Sequence, residues 1–175
     1  FSRVASSKPF SRAVADAVHG VGGLFVLDCI ASGTLWVDMA ANGIDVLISA
    51  PQKGWSGPPC AGLVMLGDEA RARIEGTTST SFACDLRKWL GIMETYESGS
   101  HAYHATMPTD SLRRLRDLMI ETETFGFEKL RERQLELGLR VRKLLAERGF
   151  RSVAGPGFEA PCVVVSYTHQ ADIVP

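Results

Sequence analysis

The chain alternates between short unbroken apolar runs and longer stretches with helical spacing. Residues 9–19 place Ala13, Val14, Ala17 and Val18 on one face of a short amphipathic helix, and Gly20, Gly22 and Gly23 end it. Residues 24–27 (LFVL) read as a fully buried strand: short, apolar and preceded by glycine. Asp28 stands where that strand ends. Small residues at 31–33 lead through Trp36 to Ala40, Ala41 and a turn at Asn42 and Gly43. A second apolar run, 44–50, contains Asp45 and ends at Pro51, Gln52 and Lys53. A third, 61–66, follows the Gly57, Pro58, Pro59 turn. Short buried runs parted by turn and helix signals predict an α/β sheet covered on both faces.

The second half reads differently. Residues 77–81 (TTSTS) form a polar connector and residues 98–109 a loop. A helix capped by Thr109 or Asp110 then carries Leu112, Leu115, Leu118 and Met119 on one face. The pattern falters at 124–126 and resumes with Leu130, Leu137, Val141, Leu144 and Leu145 until Gly149. Residues 161–166 (PCVVVS) read as a further strand.

Composition narrows the function classes. The 175 residues are 45% hydrophobic and 22% charged, which is globular and excludes a disordered or collagen-like chain. Nineteen Lys and Arg against twenty Asp and Glu give a net charge of −1, with no basic footprint for nucleic acid or a membrane surface. The longest uncharged run, 54–67, is 14 residues long and broken by prolines, too short to span a bilayer. Cysteines at 29, 60, 84 and 162 form no close pair, so neither a disulfide scaffold nor a zinc site is expected, and a reducing, cytoplasmic setting is the default expectation. A start at Phe1 and an end at Pro175 lead to the expectation of a piece of a longer chain, truncated at both ends.

The distribution of charge matters more than its sum. Eleven of the nineteen cations lie at 110–151, matched by eight acids, which makes that stretch a solvated helix face. From 13 to 70 there is one cation, Lys53, against six acids. The segment therefore reads as core, and a buried ammonium is costly unless paired or deprotonated. Asp28 and Lys53 fall 25 residues apart at the carboxyl ends of successive strands, where open α/β sheets bind ligands. Three chemistries fit: a structural ion pair, a phosphate site, or a Schiff-base lysine with a carboxylate partner for a pyridinium nitrogen. No G-x-x-x-x-G-K-[ST] surrounds Lys53 and no G-x-G-x-x-G follows a strand, so nucleotide motifs fail.

Residues 26–32 (VLDCIAS), 43–45 (GID) and 49–59 (SAPQKGWSGPP), followed by 103–108 (YHATMP), resemble the class V aminotransferases in order and spacing from about 22 to 165. These are fold-type I pyridoxal phosphate enzymes typified by alanine–glyoxylate and serine–pyruvate aminotransferases. The resemblance implies an α/β fold: residues 1–108 as the C-terminal half of a large domain with a mainly parallel sheet between helices, 109–150 as bridging helices, and 151–175 as the start of a small α/β domain. It implies that Lys53 carries pyridoxal 5'-phosphate as an internal aldimine and moves the proton during amino transfer. Asp28 would pair with the pyridinium nitrogen. Ile30, taken as two residues on along an extended chain, would pack on a ring face, and Gln52 would bond the cofactor phosphate. Tyr103 and Thr106 would reach the phosphate in the other subunit's site, which requires a homodimer. The substrates implied are a small amino acid such as alanine or serine and a 2-oxo acid such as glyoxylate or pyruvate.

Within this fold the cysteine desulfurase branch usually carries His before its lysine, whereas Gln52 resembles the transaminase branch. A desulfurase or other lyase, and a non-catalytic truncated homologue, are the alternatives. The family's His-x-Glu-Thr-Ser-x-Gly-like stretch is not reproduced at 1–11, and its phosphate loop, ring-stacking aromatic and substrate-carboxylate arginine are not located in this chain. His101 and His104 stand three apart without a third ligand, so no metal site is expected, and His104 reads as a loop hydrogen-bonder. Cys29 alternates away from Asp28 and reads as a buried structural thiol.

Overall fold

A computed structural model describes residues 8–168. The order is α1 (Lys8–His19), β1 (Val26–Asp28), α2 (Met39–Asn42), β2 (Val46–Ser49), β3 (Leu63–Leu66), α3 (Asp68–Glu75), α4 (Leu86–Glu97), α5 (Thr109–Phe125) and α6 (Phe127–Glu147). Residues 1–7 and 169–175 lie outside the described residues, and with them much of the divergent N-terminal stretch and the end of the expected small domain.

The three strands form one sheet in the order β1-β2-β3. β1 and β2 are parallel, with Asp28 opposite Ile48; the connection between them, through α2, returns the chain to the starting edge. β2 and β3 are antiparallel, with Ser49 opposite Leu63. Residues 50–62 contain no helix to carry the chain back across the sheet, so β3 starts at the edge where β2 ends. Every loop at that edge, including the Lys53 turn, is therefore gathered beside the end of β1.

Pleating puts Leu27, Leu47 and Met65 on one face and Val26, Val46 and Val64 on the other. The first face closes over a core of Cys29, Ile44 and Leu47, against which Phe25, Leu27, Val37 and Met39 pack. The expectation of a fully buried first strand is not met. Val26 is 50% exposed, because β1 is an edge strand whose second face is left uncovered by the described residues.

Asp45 pins α1 to the sheet: its Oδ2 lies 2.7 Å from Nε2 of His19 and accepts the Phe25 amide at 2.6 Å. Burial opposes ionisation of this carboxylate, but the bonds from His19 and Phe25, with the His19 and Arg73 charges, outweigh it and hold its pKa below the usual value.

Two helices, α3 and α4, stand where the sequence reading placed no element. Asp85 caps α4 by accepting the Lys88 amide at 3.0 Å. α5 begins without the expected side-chain cap: its N-cap residue is Pro108, and neither Thr109 nor Asp110 closes it. Gly126, at φ 99°, separates α5 from α6 where the apolar pattern falters. Residues 161–166 form no strand; their part in a sheet is a single antiparallel bridge from Ser166 to Ser152. All four cysteines are free.

Candidate active site

Asp28 ends β1, and its Oδ1 accepts the Ile30 amide at 2.9 Å. That bond turns the chain at Ile30, so the extended alternation used to place Ile30 beside Asp28 stops one residue too early. Cys29 does face the other way, into the core. Burial, then the Asp28 charge, push its thiol pKa up against a weaker opposing bond from Ser32, which leaves an inert thiol rather than a nucleophile.

Lys53 lies four residues beyond β2 in a tight turn. Its amide bonds the Ala50 carbonyl at 3.3 Å, its carbonyl accepts from Ser56 at 3.1 Å, and Gly57 bonds Pro51 at 2.9 Å. Ser56, at φ 52°, is the one non-glycine residue with positive φ among the described residues, so this turn stores backbone strain. Gln52 and Lys53 are both exposed, as is Asp28. The expectation of a buried ammonium is thus not met, because the lysine sits on the open sheet edge and not between layers. Among the described residues no ion pair joins Lys53 to Asp28, which removes the structural salt bridge as the reason for the pair.

The loop after β1 and the Lys53 turn meet through backbone. A Cβ on Gly54 would fall 2.1 Å from the Gly33 carbonyl oxygen, a contact that only hydrogen at this position permits. Next to it, Trp36 packs its ring 5.1 Å from Trp55 and 5.0 Å from Phe127, and donates Nε1–H to the Phe127 carbonyl at 3.0 Å. Beneath lies a cleft of about 160 Å³ lined by Cys29, Ser32, Trp36, Leu47, Trp55 and Met65. Sequence reasoning missed this cluster; Trp36 and Trp55 flank the Asp28 and Lys53 motifs, but nothing local predicts that Phe127, 91 residues on, completes it.

The second block is organised separately. The Tyr103 hydroxyl and Thr106 Oγ1 lie 3.1 Å apart, and Tyr103 is 77% exposed. No hydrogen bond or ion pair among the described residues joins them to Asp28 or Lys53. His104 does act as a loop hydrogen-bonder, with Nε2 2.9 Å from the Phe82 carbonyl oxygen, its ring tilted 32° against Phe82 and edge-on to Trp89. No group of three or more His, Cys, Asp or Glu side chains suited to a metal occurs among the described residues.

Comparison with known proteins places this geometry. No family model matches the chain. The alanine–glyoxylate aminotransferase of Rattus norvegicus is 29% identical over 144 residues, 80% of this chain and 34% of that protein. The enzyme of the same name from Oryctolagus cuniculus is 30% identical over 144 residues, 80% of this chain and 36% of that protein. The chain belongs to the class V aminotransferases. That family is pyridoxal phosphate-dependent. A solved alanine–glyoxylate aminotransferase from Nostoc sp. superposes with a TM-score of 0.77 at 17% identity, covering 91% of this chain and 42% of that one, which establishes the fold as part of a fold-type I domain. The chain spans about a third of the length of the curated relatives it matches.

Proposed function

We propose that the full-length protein is a pyridoxal phosphate-dependent aminotransferase, acting on a small amino acid such as alanine or serine and a 2-oxo acid such as glyoxylate or pyruvate. The observation that carries this reading is the pairing of Asp28 and Lys53 on adjacent loops at the carboxyl edge of a parallel strand pair, unbridged by a salt link. The donor set suits pyridoxal phosphate: an amine, a carboxylate and an amide, at Lys53, Asp28 and Gln52, all exposed along one edge. When bound, the group supplies an electron sink for charge developing at the amino acid's Cα.

This chain's own residues would do the rest. Lys53 would hold the cofactor covalently at rest and, once released by substrate, would move the proton between Cα of the amino acid and C4′ of the cofactor. Asp28, already oriented by the Ile30 amide, keeps the pyridine nitrogen protonated. Gln52 would donate to the phosphate, and Ile30 would meet the ring from the turn that follows Asp28, not from an extended strand. Tyr103 and Thr106, exposed and paired with each other, serve the phosphate of a second subunit in a homodimer. We place the protein in the cytoplasm; no helix among the described residues is long and apolar enough to cross a membrane.

The test is a product assay on the full-length protein. Alanine with glyoxylate should give glycine and pyruvate, whereas release of sulfide from cysteine, without amino transfer, would move the protein to the desulfurase branch. Absence of both activities in a protein that takes up no pyridoxal phosphate would leave a non-catalytic homologue.

A further inference from the structure

We propose that Trp36 is a positioning residue that ties the Lys53 turn to the helix break at Gly126, so that placement of the lysine follows the junction of α5 and α6. This rests on the reading of Lys53 as the cofactor-bearing residue. Trp36 contacts both sides at once, with ring centroids 5.1 Å from Trp55 and 5.0 Å from Phe127. Trp55 is two residues past Lys53 and Phe127 one past Gly126.

The links on each side are specific. Toward the helices, the indole N–H bonds the Phe127 carbonyl, in the first turn of α6, at 3.0 Å, so a change in the course of α6 moves its acceptor. Toward the lysine, the Gly54 to Gly33 backbone approach leaves no slack between the loop bearing Trp36 and the turn bearing Lys53. The turn is held against its own preference, since Ser56 at φ 52° needs its surroundings to stay there. The same loop is gripped from beyond α6 as well: the Cys162 thiol donates to the Ala31 carbonyl at 3.1 Å. A rigid indole between a strained turn and a helix break transmits displacement from one to the other.

Amide hydrogen exchange on the full-length protein, before and after adding pyridoxal phosphate, tests this. In Trp36→Ala the Ser56 and Gly57 amides should exchange on the order of tenfold faster or more, while the β2–β3 ladder amides hold. Phe127→Ala should speed the same two amides from a different element. Trp36→Phe, which keeps a ring and loses the N–H, should fall between wild type and Trp36→Ala. In the loaded protein, the pH profile of the visible absorbance should shift in Trp36→Ala and return toward wild type in Trp36→Phe. If Trp36→Ala fails to fold, Trp36→Phe and Phe127→Ala decide. Unchanged exchange at Ser56 and Gly57 in the folded variants, or an effect of Phe127→Ala confined to α6, would overturn the proposal. If the turn loosens but wild type takes up no cofactor, the coupling stands and the cofactor reading fails. A loaded protein whose turn ignores all three variants fails the coupling alone.

Discussion

Between residues 11 and 70 backbone meets backbone: Gly54 touches the Gly33 carbonyl, Cys29, Ile44 and Leu47 close on one another, and half-buried Asp45 bonds two elements. Between residues 109 and 147 two long helices meet water along most of their length, and Leu115 is their one buried large hydrophobic residue. Their arginines pair locally, as Arg131 does with Glu128 and Arg116 with Asp117. The first region fixes positions through steric contact and the second offers surfaces. Candidate chemistry follows that division: Asp28 and Lys53 hang from strand ends set by register, whereas Tyr103 and Thr106 sit on an exposed loop before the helices.

The comparison breaks if position and stability do not separate as described. The largest effect expected is on activity. Lys53→Ala in the full-length protein should cut amino transfer by about 10²–10⁴-fold or more, with a melting curve close to wild type because the side chain is exposed. A collapse of stability instead would make Lys53 a structural residue. In the helical region, Leu115→Ala should cost about 2–5 kcal/mol, since the side chain is 5% exposed, while Leu139→Ala at 70% exposed should stay within about 0.5 kcal/mol in the same denaturant titration.

Asp45 sharpens the contrast through pH. Its folded pKa is held below the usual carboxylate value, so its contribution is fully present above the unfolded pKa and is lost as pH falls through the folded one. Asp45→Asn should lower stability by about 1.5 kcal/mol at neutral pH, and the gap from wild type should close in strongly acidic solution. A gap independent of pH would mean that shape and not charge holds α1 to the sheet. Ser56→Gly should raise stability by up to about 1 kcal/mol by relieving the positive φ, as measured by the denaturation midpoint. Smallest of all, Arg131→Ala should shift that midpoint by no more than about 0.5 kcal/mol, as expected for an exposed local pair.

The contrast also explains what could be read from sequence. The three strands are legible because a covered sheet face demands short apolar runs, and the break at Gly126 because helical periodicity stops there. Strand direction is not legible: nothing in residues 61–66 says whether β3 runs with β2 or against it, and the answer depends on whether 50–62 forms a helix. The α4 helix was available, since Leu86, Trp89, Leu90 and Met93 repeat at helical spacing behind Asp85. At the site, the Asp28 and Lys53 positions follow from strand ends. The exposure of Lys53 does not, because a segment poor in cations looks the same whether its lysine is buried or stands on an open edge. The Trp36, Trp55 and Phe127 cluster joins residues far apart in the chain, and local pattern carries no trace of it.

The central claim is that Lys53 is the residue to which the cofactor attaches. Borohydride reduction of the full-length protein loaded with pyridoxal phosphate, followed by peptide mass spectrometry, addresses it directly. The account predicts a yellow protein that bleaches on reduction and carries one pyridoxyl group, on Lys53. A label on another lysine, or a colourless full-length protein that gains none, would contradict it.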